Sequence, residues 1–201
     1  MSTAPQRKYT IAEYVALEER SQTKHEYYRG EVFAMSGGSS AHARIHGNIY
    51  HFLRLRLVGT GCTPFNSDQR IYIPGVDLDT YPDASVICGE REKDPADPDG
   101  FTNPRVIFEV LSKTNELYDR TTKFSFYRKL RSLKQYVLLS QTEPLVEFYV
   151  RSPNNRWEFG DVTGLESTLD LSIIQCELPL KEIYDDVNFL TDADQELPGQ
   201  S

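Results

Sequence analysis

Two carboxylates stand inside stretches that otherwise read as core. Asp83 lies in Tyr81-Pro-Asp-Ala-Ser-Val-Ile87, and Glu109 lies in Arg105-Val-Ile-Phe-Glu-Val-Leu111. A strand's period of two puts Val106, Phe108 and Val110 on one face of the second stretch and Ile107, Glu109 and Leu111 on the other. Both faces are apolar except for Glu109. Burying an ionised carboxylate is costly unless a cation or hydrogen bonds answer it. A metal ion or a lysine is the usual answer, and a structural ion pair within an α/β core would serve as well.

The chemistry open to such a pair is specific. Two carboxylates on adjacent strands offer hard oxygens suited to Mg²⁺, with Mn²⁺ as a substitute, because Mg²⁺ prefers a few carboxylates together with waters and substrate phosphate oxygens. The ion would polarise a phosphoryl group, and a nearby lysine would stabilise the developing negative charge. Lys123 is the first candidate, one helical turn after Asp119 on the helix that leaves the strand of Glu109. Lys113 shares the strand parity of Glu109 and is the second. His42 and His46 have i, i+4 spacing that could ligate a metal, but they read first as polar residues at a helix start. A glycosidase-type acid pair would give no reason for the basic segment that follows.

The elements that must position these groups follow from capping and periodicity. Thr10-Ile-Ala-Glu13 is a capping box and predicts a helix to about Glu19. Gly30 within HEYYRGEVFAM predicts a hairpin whose second strand runs near Glu31 to Met35. The apolar positions Ile45, Ile49, Phe52, Leu53 and Leu57 predict an amphipathic helix over Ala41 to Val58. GTGCTPFNSDQ reads as a loop, Arg70 to Ile73 as a strand, and GEREKDPADPDGFTNP as a surface excursion between two neighbouring strands. A helix over roughly Asp119 to Leu133, a buried strand from Gln135 to Ser140, and a hairpin of LVEFYV and RWEFG complete the order. This is a mixed α/β arrangement of sheet and helices.

Charge sharpens the functional reading. The net charge of −8 argues at first against a nucleic-acid partner. Six acids and no Lys or Arg lie from Glu182 onward, however, which leaves residues 1–181 with 22 basic and 24 acidic groups. Between Arg105 and Lys134, eight basic residues face three acidic ones. A solvated helix face explains many such runs, but beside an acid pair this one suggests a polyanion site, with Arg120, Arg128, Lys129 and Arg131 as the nucleic-acid contacts.

With 201 residues the chain fits one domain, read as 10–184 between a flexible 1–9 and an acidic disordered tail, 185–201. No apolar stretch approaches a membrane span, and the first residues carry no export signal. Cys62, Cys88 and Cys176 are odd in number and widely spaced, which suits reduced thiols and a cytoplasmic location.

YPDASVI, NPRVIFEVLSKTNE and YDRTTKFSFYRKLRSLKQYVLLSQ together resemble the Uma family of putative restriction endonucleases, a branch of the PD-(D/E)XK nuclease superfamily, over roughly residues 10–184. The resemblance implies a restriction-endonuclease-like core of four mixed strands flanked by helices, with the N-terminal hairpin and C-terminal meander strands added. It also implies Mg²⁺ at Asp83 and Glu109. The superfamily's Glu-x-Lys lysine would fall at Leu111, and the family supplies it instead from the next helix, in a pattern that matches Asp119-Arg-Thr-Thr-Lys123 and Tyr127 here. Asn115 stands where a Ser-Thr pair is common. Glu31 matches an acid on the first hairpin, and His42 matches a position near the cleft. The expected protein is a metal-dependent DNA endonuclease, for which a homodimer would match the two-fold symmetry of a duplex. The alternative is a nuclease-fold module that binds nucleic acid or a protein partner without cutting.

Overall fold

The structure, a computed structural model, describes residues 7–189. Thr10 caps α1 (Ile11–Glu18) with both halves of the capping box in place. It leads into the hairpin β1 (His25–Tyr28) and β2 (Glu31–Ala34). Residues 190–201, most of the expected disordered tail, lie outside the described residues. Before α1, the Tyr9 N–H donates to the Gly30 carbonyl at 2.8 Å.

Ser39 caps α2 (Ser40–Arg56), which buries Ile45, Ile49 and Leu53. Then come β3 (Cys62–Asn66), β4 (Ile71–Ile73), β5 (Leu78–Thr80), β6 (Ala84–Cys88), β7 (Lys93–Asp94), β8 (Asp97–Phe101) and β9 (Val106–Val110). The helical segment after β9 is α3 (Glu116–Tyr118), a π-type turn over Asp119–Lys123, and α4 (Phe124–Tyr127). The chain closes with β10 (Gln135–Leu139), the hairpin β11 (Leu145–Arg151) and β12 (Trp157–Thr163), a small pair β13 (Thr168–Leu171) and β14 (Cys176–Pro179), and α5 (Leu180–Ile183). Among the described residues no helix is long and apolar enough to cross a membrane.

Two six-stranded sheets carry the fold, ordered β12-β11-β10-β9-β6-β3 and β2-β1-β5-β4-β8-β7. In the first, β9 runs parallel to β10 and antiparallel to β6. Every residue of β9 is buried. Val106, Phe108 and Val110 pack on the side of α2 with Ile45, Ile49 and Leu53, whereas Ile107 and Leu111 pack with Phe124, Tyr127 and Tyr136 on the other. The second core also takes Ile71, Ile73 and Leu78 from the other sheet. Glu109 shares the parity of Ile107 and Leu111, so it points into this second layer.

Three expectations need correction. GTGCTPFNSDQ contains the edge strand β3, paired with β6, and Pro64 is compatible with an edge because an outer strand needs fewer ladder donors. GEREKDPADPDGFTNP folds into β7 and β8 instead of a surface excursion, held by an interior ion pair. Arg70 Nη2 lies 2.8 Å from Asp97 Oδ1, and Arg70 Nε lies 3.3 Å from Asp79 Oδ2. Gly100 is required there, since a Cβ would overlap the Asp97 carboxylate. Finally, Cys62 and Cys88 are not free thiols. The β3–β6 register sets them opposite each other with Cα atoms 4.0 Å apart, and they form a disulfide that leaves Cys176 as the free cysteine. Two of the three cysteines therefore give no support to a reducing compartment.

Candidate active site

The antiparallel register of β6 and β9 pairs Ala84 with Phe108. One step further along the same register, Asp83 stands opposite Glu109. Asp83 immediately precedes β6, so its carboxylate meets β9 at the end of the β6–β9 pairing, beside the start of α2. Asp83 Oδ2 accepts the N–H of Val110 at 2.6 Å, and Asp83 Oδ1 lies 3.1 Å from His42 Nε2. Burial alone would raise the Asp83 carboxyl, but the hydrogen bond and charge of His42 and the Val110 N–H outweigh it and hold the group below the usual carboxylate range. Burial likewise opposes charge on His42, and Asp83 more than compensates, so the imidazole is raised.

His42 is placed by a chain of hydrogen bonds. Ser39 Oγ accepts the His42 N–H at 3.0 Å as the N-cap of α2 and donates to Gln141 Oε1 at 2.5 Å. Gln141 Nε2 in turn donates to the Leu111 carbonyl at 2.6 Å. The start of α2 is thus fastened to the end of β9. His46 does not join Asp83; its ring is held below the usual imidazole range by burial, and its Nε2 is buried without a hydrogen-bond partner.

On the other side of Glu109 stands Lys123, its Nζ 2.8 Å from Glu109 Oε1, 3.7 Å from Asp119 Oδ1 and 3.8 Å from Glu26 Oε1. The π-type turn, a widened turn often found at functional sites, carries both Asp119 and Lys123 into the interior. Tyr127 OH donates to Glu109 Oε1 at 2.8 Å, and Tyr136 OH donates to the Asp119 carbonyl at 3.1 Å. Thr80 on β5 donates to Glu26 Oε1.

Charge in the cluster is unbalanced. Four carboxylates (Glu26, Asp83, Glu109, Asp119) face one ammonium and one imidazole. Burial, against the pull of Lys123 and with the help of Asp83 and Asp119, pushes Glu109 up to about 8. Burial also raises Asp119 to about 6, again against Lys123. Lys123 itself is buried, which disfavours its charge, but Glu109, Glu26 and Asp119 outweigh this and hold the ammonium well above its ordinary range. A surplus of buried negative charge on hard oxygens matches the donor chemistry of a divalent cation. Among the described residues, however, no group of three or more His, Cys, Asp or Glu side chains is arranged to hold one.

The structure therefore brings together Asp83, Glu109, Lys123 and His42 from the residues named by sequence. Lys113 is exposed on the loop after β9, and Glu31 is half-buried on β2 away from these contacts. The hairpin acid that reaches the centre is Glu26, which sequence reasoning missed; its signal was the shared parity with Tyr28, a residue packed on the second core. Thr80, Tyr136 and Gln141 were also missed. Arg128, Lys129 and Arg131 are exposed just beyond α4. Arg120 is instead committed to the protein, 3.1 Å from Glu116 and paired with Glu147.

The sequence pattern of Uma2, described as "Putative restriction endonuclease", matches residues 11–181. The chain belongs to the Uma2 family. Two uncharacterized proteins of Synechocystis are similar to this Uma2 chain. One, slr1290, is 36% identical over 155 residues, covering 77% of this chain and 80% of that one. The other, sll1609, is 31% identical over 175 residues, covering 87% and 99%. In fold, the Uma2 chain resembles the crystal structure of a putative nuclease belonging to DUF820 from Anabaena variabilis, with a TM-score of 0.69 at 18% identity over 88% of this chain and 97% of that one. That likeness shows that the two chains share a fold.

Proposed function

We propose that this Uma2 protein is a metal-dependent endonuclease that hydrolyses DNA phosphodiester bonds. The observation that carries the reading is that Asp83 accepts the N–H of Val110, the residue after Glu109, while Lys123 lies 2.8 Å from Glu109. Asp83 and Glu109 would hold Mg²⁺ or Mn²⁺, which when bound supplies electrostatic polarisation of the phosphoryl group. Tyr127 fixes the Glu109 rotamer, and His42 with the Val110 N–H fixes Asp83. The Lys123 ammonium, aligned by Glu109 and Asp119, is poised to neutralise charge that develops on the phosphoryl oxygens.

A second reading is favoured by one observation. Lys123 already answers Glu109, as it would in a module that binds nucleic acid or a protein without cutting. Cleavage of plasmid DNA with Mg²⁺ or Mn²⁺, comparing wild type with Asp83→Ala, tests the first reading. Equal activity in the two proteins sinks the site assignment. Calorimetric titration with Mn²⁺ separates the two readings, since the binding module predicts no heat that depends on Asp83 or Glu109.

A further inference from the structure

A cavity of about 340 Å³ lies beside the carboxylate cluster, between the N-terminal hairpin and the helical segment that carries Lys123. Its walls are largely aromatic, with Tyr28, Phe33, Tyr118 and Phe126, and Leu78 adds an apolar surface. Glu26 lines the same cavity and lies 3.8 Å from Lys123, so one carboxylate belongs both to the cavity and to the cluster. Tyr118 and Thr122, also in the wall, flank the Asp119–Lys123 turn in sequence. Tyr28 and Phe126 pack as a tilted pair with ring centroids 5.1 Å apart, which braces the inner wall. Phe33, by contrast, is 48% exposed on β2, the outermost strand of its sheet.

These features select a class of ligand. The volume is near the low end of the range of roughly 300–1,000 Å³ typical of small-molecule sites, so a single heterocycle fits where a base pair would not. Aromatic walls stack on flat rings, and the Glu26 carboxylate can accept hydrogen bonds from ring N–H or exocyclic amino groups. An apolar peptide side chain would fill the walls but would offer no hydrogen-bond donor to Glu26.

We propose that this cavity receives one unstacked nucleobase of the nucleic-acid substrate, with Phe33 and Tyr28 as stacking surfaces and Glu26 as the acceptor at its inner end. The inference rests on the nuclease reading and adds to it that the strand engaged at the cluster is single-stranded or has a nucleotide turned out of the duplex. Phe33 is a positioning residue in this account, since it holds the base and does not touch the reacting phosphate.

The test is a binding cycle in EDTA, where cleavage does not interfere. Wild type and Phe33→Ala are titrated with a short single-stranded oligonucleotide and with the same oligonucleotide made abasic at successive positions, using 2-aminopurine fluorescence for base environment. Phe33→Ala is expected to weaken binding of the intact strand between about fivefold and 100-fold. At one position the abasic strand should bind both proteins equally. Phe33→Trp, which keeps a stacking ring, should restore wild-type affinity, and because Phe33 is half exposed both variants should melt as the wild type does. Intact and abasic strands that bind Phe33→Ala and wild type alike would overturn the cavity assignment while leaving the nuclease reading in place. No binding of any oligonucleotide, together with no cleavage, would overturn both.

Discussion

Asp83 stands at the end of the β6–β9 pairing, and the N–H that it accepts belongs to Val110, the residue after Glu109. Asp83 is therefore tied to the strand that carries Glu109, and it cannot swing away without giving up that hydrogen bond. Such forced proximity of like charges is destabilising unless a cation offsets it. The consequence is a trade between stability and function at this point of the fold.

Neutralising Glu109 should relieve that strain and remove activity together. Without metal, Glu109→Gln is expected to unfold at a urea concentration equal to or above wild type, because Lys123 keeps Asp119 and Glu26 as partners. Cleavage should fall by about 100-fold or more. Lys123→Met acts oppositely on stability, leaving three carboxylates unanswered and lowering it by about 3–5 kcal/mol. Added Mg²⁺ should recover part of that loss. A Glu109→Gln protein that unfolds earlier than wild type without metal would show that the acid pair is not a source of strain.

The buried Asp79 gives a pH prediction independent of the candidate centre. Its side chain is fully buried and neither oxygen has a hydrogen-bond partner, with Arg70 at ion-pair distance. Burial, then the nearness of the Asp97 carboxyl, raise the Asp79 carboxyl well above its ordinary value. The folded state thus keeps a proton that the unfolded chain releases near its ordinary carboxyl range. This contribution is present at low pH and is lost as pH rises toward the folded value. Asp79→Asn, neutral throughout, should match wild type near the ordinary carboxyl pKa and exceed it increasingly at higher pH, by about 1–3 kcal/mol when the wild-type carboxyl is charged. Urea midpoints across pH give the comparison, and a constant difference would reject it.

Much of the centre was legible because it lies on regular elements. Glu109 betrayed itself by parity within an apolar strand, and Lys123 by its turn spacing from Asp119. Glu26 was hidden because its importance depends on the packing of two sheets, which local pattern does not encode. The excursion before β9 was misread for a related reason. DPDGF has poor strand propensity, and its pairing with β4 and β7, the Arg70–Asp97 pair and the close approach at Gly100 make it β8. The π-type turn left no periodic signal, since one widened turn shifts side chains without changing their types.

The cross-strand disulfide makes a countable prediction. Denatured without reductant, the protein should show one reactive thiol, Cys176, and three after reduction. Cys62→Ser should lower stability by about 3 kcal/mol, the size expected for a bridge across a sequence separation of 26 residues. Three reactive thiols in the unreduced protein, with an unchanged melting temperature for Cys62→Ser, would remove the bridge from the account.

The basic residues beyond Lys123 divide by their burial, and DNA binding should divide with them. Arg128, Lys129 and Arg131 are exposed, so each is free to meet a phosphate. Replacing them together with Ala should leave the melting temperature within the small range usual for surface changes. It should also reduce the dependence of log affinity on log salt by about one for each phosphate no longer neutralised. Arg120→Ala should act through stability instead, since its guanidinium is shared between Glu116 and Glu147. Fluorescence anisotropy with a labelled duplex and a labelled single strand across a salt series measures the slopes. An unchanged slope in the triple variant would move the polyanion surface away from this segment, whereas a reduced slope for the single strand alone would accord with the unstacked base inferred beside Lys123.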